Sequence, residues 1–281
     1  SMMFFMQKSC GMGTFFPGEE AEFFKYIQTF PIRSFFMFTT AQALFSICTF
    51  IPFAMMHDKI YKDNIGMRCQ PDPQKEFSVD IPAGGWTIFS RKEVRIAALN
   101  LAVASWMTTM VAFGKIVSNH GLMYTEVSEI GGPVYGWGYL LVSAVLYFLW
   151  IDVWAYLAHR VLHWPFFYKR FHKVHHEYKQ VTAFSALALH PVDMVMLQGG
   201  VFVGLYLIPL HIGVIAANLL YIHYHNVVDH SGIYHESPFP WQPTSLYHDD
   251  HHQFFHVNYG QTLTIWDRVG GTFYEKGRSY G

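Results

Sequence analysis

Residues 159–176 read H-R-V-L-H, then eight residues without histidine, then H-K-V-H-H, so that five histidines fall within eighteen positions. A third group, H-D-D-H-H at 248–252, repeats the spacing of the second. Of the 17 histidines in the chain, 15 lie between His159 and His256. Chance would produce two H-x-x-H-H matches in roughly a few of a thousand such chains, so the sequence indicates that these groups act together.

The composition is that of a membrane protein. The 281 residues are 52% hydrophobic and only 14% charged, well below the charged fraction of about a quarter in soluble domains. The net charge of −1 gives no reason to expect a nucleic-acid partner. Cys10, Cys48 and Cys69 have neither disulfide nor metal spacing, which fits a reducing compartment better than an oxidising one.

Three uncharged runs predict membrane crossings. Ser34–Met56, Ile96–Gly114 and Ile130–Ile151 are each long enough to approach or cross a hydrocarbon core of about 30 Å. Residues 57–95 between the first two runs are polar and predict a loop. The third run should continue as a helix towards His159, because no helix-breaking residue intervenes.

The chain before these runs, residues 1–33, predicts an N-terminal interfacial segment. Phe15–Phe30 places its phenylalanines on one helical face, although an ordered tail packed on the body is an equal alternative. Residues 34–281 predict a single integral-membrane domain, with the histidine-rich region at 135–275.

A fourth run, Met194–Val228, has no Asp, Glu, Lys or Arg for 35 residues. As one helix it would be about 52 Å long, too long for one crossing. Pro209 lies near its middle, where a helix should break. The alternative is one tilted helix with a long extension. A hairpin is favoured, because His176 and His230 can share a site only if the chain returns.

This topology predicts which side of the membrane carries the histidines. Three crossings and a hairpin place 57–95, 156–193 and 229–281 on one side, with 15 of the 19 Lys and Arg residues. Since positively charged segments stay inside, the histidines should face the cytosol. The endoplasmic reticulum is the expected membrane, with the mitochondrial inner membrane and its matrix side as the alternative.

The spacings within the groups are those of metal ligands. Side chains three or four residues apart share a helical face, so each group can aim its imidazoles at one point. The candidate ligands are His159, His163, His172, His175, His176, His248, His251 and His252. Eight nitrogens exceed the needs of one ion that keeps an open position, so two metal ions are expected.

Further residues are candidates for supporting roles. His230 could be a ninth ligand, and Asn226, four residues before it, could hold a metal-bound water. Asp152 lies on one helical stripe with His159 and could accept the second N–H of a ligand imidazole, although an interfacial anchor is the simpler interpretation. His190 and His225 are candidates for outer roles of the same kind.

Imidazole ligands suit iron, zinc or copper and do not choose among them. The absence of H-E-x-x-H argues against familiar zinc hydrolases. A site at the edge of an apolar bundle suggests a lipid substrate that stays in the bilayer.

These motifs resemble the fatty acid hydroxylase/sterol desaturase superfamily of membrane di-iron oxidases. The resemblance covers roughly residues 135–275 and includes the three histidine boxes, H-P at 190–191, D-H-S-G at 229–232, and N-Y-G-Q…W-D-R-V-G-G-T at 258–272. It implies an all-α fold of four to five transmembrane or hairpin helices with a histidine-rich helical cap. By the same resemblance, the eight box histidines are ligands and His230 fills an extra ligand position.

The resemblance also implies chemistry and partners. Two Fe ions, with Zn as an alternative occupant, would use O₂ to attack an unactivated C–H bond, with electrons from a cytochrome b5-type carrier. H-K-V-H-H-E-Y and D-H-S-G followed by F-P-W are similar to C4-methyl sterol oxidases, whereas H-P-V-D and N-Y-G-Q are similar to sterol C5-desaturases. A sterol is favoured over a fatty acyl chain. The competing hypothesis is a non-catalytic membrane subunit that keeps the fold and a structural metal.

Overall fold

The computed structural model describes residues 29–63, 69, 91–118, 123–124 and 126–275. The interfacial segment predicted for residues 1–33 lies outside these ranges except for its last five residues. The described chain is mostly helical, in agreement with the predicted all-α membrane fold. Its α-helices are α1 Pro31–Asp63, α2 Lys92–Ser118, α3 Gly132–Leu162, α4 Pro165–Arg170, α5 Pro191–Leu207, α6 Ile212–Asp229, α7 Leu246–Phe254 and α8 Ile265–Gly270.

Shorter elements complete the described chain. Three 3-10 helices cover Val127–Glu129, His172–Glu177 and Ala183–Leu187. Two-residue strands β1 (Met123–Tyr124) and β2 (Leu210–His211) pair in parallel, with Met123 opposite Leu210. This single short pair leaves the helical character of the fold unchanged.

The three predicted crossings lie within α1, α2 and α3. In the described part of the chain, three helices are long and apolar enough to cross a membrane: Pro31–Asp63, Lys92–Val111 and Gly132–Leu162. On α3, Val134, Trp137 and Leu141 are 76%, 64% and 65% exposed, as expected of side chains that face lipid. The predicted loop at 57–95 is too long at both ends, because α1 continues to Asp63 and α2 begins at Lys92. The stretch His57–Asp63 contains no Gly or Pro to end the helix.

The uncharged run at 194–228 is broken as predicted. Helix α5 ends at Leu207, two residues before Pro209, and α6 begins at Ile212. Pro209 has no N–H to continue α5, and the residue before a proline disfavours helical backbone. The segments on both sides of this pair, ending at Gln198 and starting at His223, belong to one compact unit. The chain therefore returns, as the shared site requires.

The chain divides into two compact units. The first contains the described residues up to Phe45, with Ala104–Ile151 and Gly199–Ile222. Its apolar core is formed by Tyr147, Ile151, Val201, Leu205, Leu210, Val214 and Ile215. Tyr147 Oη donates a hydrogen bond to Val201 O at 3.1 Å, and Trp150 Nε1 donates to Gly200 O at 2.8 Å. These bonds satisfy polar groups that hydrocarbon surroundings cannot.

The second unit contains Ser46–Val103, Asp152–Gln198 and His223–Gly281. All nine histidines that the sequence analysis proposes as ligands belong to it. Whereas the first unit has an apolar core, the second buries a large share of its histidines and carboxylates.

Candidate metal centre

The nine histidines form two clusters. The five-histidine cluster consists of His159, His163, His172, His176 and His251. The four-histidine cluster consists of His175, His230, His248 and His252. Within each cluster the candidate ligand atoms all lie within 4.8 Å of one another, so each cluster could hold a metal ion. Two ions are what the sequence predicts.

Different elements deliver these side chains. His159 lies on the last turn of α3, and His230 directly follows α6. His248, His251 and His252 lie on α7 at the predicted helical spacing. The second box differs from expectation, because His172–Glu177 is a 3-10 helix rather than an α-helix. Its tighter winding still brings His172 and His176 together, with their Nε2 atoms 3.1 Å apart.

The Nε2 atoms converge in both clusters. His176 Nε2 lies 3.1 Å from that of His163 and 3.2 Å from that of His251. In the other cluster, His248 Nε2 lies 2.9 Å from His230 Nε2 and 3.2 Å from His252 Nε2. Two nitrogens bound to one ion at about 2.1 Å are about 3.0 Å apart at right angles and about 3.4 Å apart at the tetrahedral angle. The observed separations fit this range.

Hydrogen bonds at Nδ1 show which nitrogen of each ring is available. His159 Nδ1 donates to Tyr259 O at 2.9 Å, and His251 Nδ1 donates to Val257 O at 2.7 Å. His230 Nδ1 donates to Asn226 O at 2.8 Å. A carbonyl can only accept, so Nδ1 carries the proton and Nε2 keeps its lone pair in these neutral rings.

This tautomer makes the clusters fit a cation. The Nε2 atoms of His159 and His172 are 3.1 Å apart, and both rings have an acceptor at Nδ1. Neither Nε2 then carries a proton to donate to the other, so the two lone pairs repel. Burial also lowers the pKa of His251 to about 3 and that of His230 to about 4, which keeps both rings neutral at neutral pH. A metal ion between the two nitrogens would accept both lone pairs and so remove this repulsion.

Asp193 is a residue of the site that was not predicted from the sequence. Its carboxylate accepts a hydrogen bond from His172 Nδ1 at 2.7 Å, and both side chains are fully buried. Asp193 lies in the first turn of α5, three residues after His190. Within the H-P-V-D motif, the sequence indicated His190 as the candidate, whereas Asp193 at the end of the motif makes the contact with His172. An Asp in the first helical turn next to a histidine box is the signal that could have found it.

Asp152 makes contacts different from the predicted one. Its carboxylate accepts from Thr262 N at 2.9 Å, Leu263 N at 3.3 Å and Trp266 Nε1 at 2.6 Å. The Nδ1 proton of His159, the proposed ligand on the same helical stripe, goes to Tyr259 O instead. Asp152 therefore holds the loop before α8 and not a ligand imidazole.

The structure also shows the contacts of the other candidates for supporting roles, which are His190, His225 and Asn226. His190 Nδ1 accepts from Val192 N at 3.2 Å, a contact that satisfies an N–H at the start of α5. His225 Nδ1 lies 2.7 Å from Asp229 Oδ2 in a buried pair. Asn226 contacts a proposed ligand through its backbone O, while its Oδ1 accepts from Gln261 Nε2 at 2.6 Å. A water-mediated role for Asn226 stays a prediction.

Buried carboxylates outnumber buried cationic side chains in the second unit. The buried acidic residues are Glu93, Asp152, Asp193, Asp229, Asp249, Asp250 and Asp267. Among the described residues, Arg91 is the one buried Lys or Arg, and it pairs with Asp58 and Glu93. Buried negative charge is costly unless cations or hydrogen bonds offset it. Two divalent ions among neutral imidazoles would supply that positive charge.

Comparison with known proteins agrees with the motifs. Residues 144–272 match the family model described as "Fatty acid hydroxylase". Lathosterol oxidase of Mus musculus is 37% identical over 147 residues, or 52% of this chain and 49% of that protein. Lathosterol oxidase of Homo sapiens is 31% identical over 185 residues, or 65% of this chain and 60% of that protein.

A fungal sterol enzyme also matches part of the chain. Delta(7)-sterol 5(6)-desaturase of Candida glabrata is 36% identical over 134 residues, which are 48% of this chain and 36% of that protein. The chain spans about half of the length of the mouse relative and 60% of the length of the human one. No solved structure matches the chain.

Proposed function

We propose that this protein is a membrane oxidoreductase that oxidises a sterol at two histidine-bound iron ions, because residues 144–272 match the family model described as "Fatty acid hydroxylase". The observation that carries the proposal is the convergence of nine imidazole nitrogens into clusters of five and four. A scaffold would not need two sets of ligand-ready nitrogens buried side by side.

Iron is the metal that the resemblance to membrane di-iron oxidases implies, and a redox-active metal is what the proposal requires. All-imidazole sites accept iron, copper or zinc, and zinc has no redox chemistry. The relatives are named as an oxidase and a desaturase, and both names describe redox reactions. When bound, two iron ions would supply the activation of O₂ that removes hydrogen from an unactivated carbon.

The residues of this chain prepare the site. Tyr259 O, Val257 O and Asn226 O hold the Nδ1 protons, which keeps Nε2 of three ligands unprotonated. Asp193 does the same for His172 and adds negative charge. Burial of these side chains keeps bulk water away from the reacting atoms.

The proposed reaction is the removal of two hydrogen atoms from neighbouring sterol carbons, of the C5(6) type. The lipid is oxidised by two electrons, and one O₂ is reduced to two waters with two further electrons and two protons. The sequence features H-P-V-D and N-Y-G-Q and the names of the relatives support this assignment over C4-methyl oxidation. A fatty acyl substrate is the alternative within the family.

The two further electrons require a donor protein, which we take to be a cytochrome b5-type carrier. The three apolar helices support a membrane-embedded protein with a membrane-resident substrate. The distribution of Lys and Arg supports an orientation in which the histidines face the cytosol. We propose the endoplasmic reticulum as the membrane, with the mitochondrial inner membrane as the alternative.

The test combines metal analysis with turnover. The full chain is purified in nanodiscs, loaded with Fe(II), and incubated with a Δ7-sterol, O₂ and a reduced cytochrome b5 system. We expect two irons per chain and conversion to the Δ5,7-sterol only when O₂ and reductant are both present. His190→Ala, which removes a histidine outside both clusters, should keep both properties.

Each negative result has a defined meaning. Two tightly bound metal ions with no oxygen-dependent conversion of any sterol or acyl lipid would support the scaffold. Turnover without O₂ would contradict the oxidase altogether. Conversion of an acyl lipid instead of a sterol would keep the chemistry and refute the substrate.

A further inference from the structure

The turn that follows α7 has an unusual backbone. Phe255 and Asn258 have φ angles of 66° and 55°, and they are the two non-glycine residues with positive φ in the described part of the chain. This region is accessible to Asn but costly for an aromatic residue. Such conformations persist only where the surrounding structure holds them, and they often mark functional sites.

The carbonyls on either side of Asn258 both hold proposed ligands. Val257 O accepts from His251 Nδ1 at 2.7 Å, and Tyr259 O accepts from His159 Nδ1 at 2.9 Å. Both histidines belong to the five-histidine cluster. Asn258 lies between these two residues, so its backbone angles contribute to the direction of Val257 O relative to Tyr259 O.

The Asn258 side chain is fully buried, and both ends of its amide are hydrogen-bonded. Its Nδ2 donates to Tyr247 O and Tyr274 O, both at 3.0 Å, and its Oδ1 accepts from Tyr274 N at 2.7 Å. Its backbone N–H donates to Thr272 O at 2.9 Å. The amide thus ties the turn to α7 on one side and to residues 272–274 on the other.

We propose that Asn258 is a positioning residue for the five-histidine cluster alone. By holding the turn, it aims Val257 O and Tyr259 O at the two imidazoles and fixes the orientation of their Nε2 atoms. Partners that orient metal-binding histidines typically change metal affinity by about 10- to 100-fold. The four-histidine cluster receives no carbonyl from this turn. The inference rests on the proposed function insofar as both clusters bind metal.

The experiment measures bound iron per chain in the purified full-length protein after exposure to a chelator. We expect wild type to keep two ions and Asn258→Ala to keep about one, with the lost ion leaving about 10- to 100-fold faster. Ser185→Ala is the matched control. It removes a fully buried clamp that bonds Thr182 N and O at 3.0 and 2.7 Å, away from both clusters, and should keep two ions.

Double variants identify which ion is lost. Asn258→Ala combined with His251→Ala should lose no more metal than His251→Ala, because both changes act on one cluster. Combined with His252→Ala, it should leave the chain without chelator-resistant metal. Equal loss from both clusters would overturn the proposal.

Asn258→Gly separates the backbone from the amide. Glycine tolerates positive φ but lacks the hydrogen-bonding side-chain amide. The Asn258→Gly variant should therefore lose the ion of the five-histidine cluster, as Asn258→Ala does. Full metal retention in Asn258→Gly would refute a role for the side chain. If Asn258→Ala does not fold, Asn258→Asp keeps the size and the Oδ1 acceptor, loses both donors, and should show the same selective loss.

The two proposals fail in different ways. A wild-type chain that binds no metal refutes the proposed function. Two chelator-resistant ions in wild type and in every folded Asn258 variant refute only the role of Asn258.

Discussion

The two histidine clusters are held in different ways. In the five-histidine cluster, His159 and His172 donate through Nδ1 to partners 100 and 21 residues away in the chain, and His251 donates to Val257 O, six residues later. In the four-histidine cluster, His230 is the member with an Nδ1 bond of this kind among the described residues, and its partner Asn226 O lies one turn earlier on the chain. Two members of the first cluster are therefore oriented by contacts that are distant in sequence, whereas the second cluster depends more on packing.

This difference matters because an imidazole that is fixed at Nδ1 has one tautomer and one direction for Nε2 before any metal arrives. In the five-histidine cluster, three of the five members are fixed in this sense. In the four-histidine cluster, one of the four members is fixed in this way, and the others depend more on packing. We expect the two proposed ions to respond differently to changes in the surrounding structure.

The largest effect is expected from removing a ligand. His251→Ala and His252→Ala should each abolish turnover and reduce bound iron from two ions to about one, because each cluster loses one of few nitrogens. Iron analysis and the sterol assay measure both effects. An active, fully metallated variant of either kind would contradict the assignment of the clusters.

Removing Asp193 should affect the five-histidine cluster selectively. Asp193→Ala leaves the His172 Nδ1 proton without its acceptor, so metal affinity of that cluster should fall by about 10- to 100-fold. The ion in the four-histidine cluster should stay. Asp193→Asn keeps an acceptor oxygen and should show a smaller loss. An equal loss of both ions would mean that Asp193 supports the whole unit.

Asp152→Asn should alter stability more than metal content. The substitution weakens charge-assisted bonds to Thr262 N, Leu263 N and Trp266 Nε1, which should cost about 1.5–3 kcal/mol of unfolding free energy. Thermal unfolding in nanodiscs measures this loss. Both ions should be retained, because His159 bonds Tyr259 O and not Asp152. Selective metal loss without destabilisation would restore the predicted role of Asp152 at a ligand.

The smallest effect is expected from Gln261→Ala. It removes one hydrogen bond to Asn226 Oδ1, worth about 1 kcal/mol, and leaves the Asn226 carbonyl that holds His230. Metal content should not change. Selective loss of the ion from the four-histidine cluster would show that this cluster is also oriented from a distance, and the contrast between the clusters would disappear.

Much of the fold follows from patterns that are local in the chain. The uncharged runs predict the three long helices, and Pro209 predicts the break between α5 and α6. The start of the loop after α1 was wrong, because charged residues without a breaker continue the helix to Asp63. Local composition predicts where a helix can cross a membrane better than where it ends.

The candidate site was predicted less completely. The nine histidines lie together as expected, whereas Asp193 was missed and Asp152 makes other contacts. Contacts such as that of Tyr259 O with His159 use a backbone carbonyl, which every residue carries. No side-chain pattern marks such an acceptor, so the sequence could not identify it.

The sequence alone predicted the nine histidines that form the clusters, the number of ions that they would suit, and the return of the chain between α5 and α6. Only the tertiary structure decided how the ligands are shared. His172 and His176 belong to one cluster and His175 to the other, and His251 is separated from His248 and His252 in the same way. Neighbouring imidazoles on one short helix point in different directions, and the residues that meet them come from distant parts of the chain.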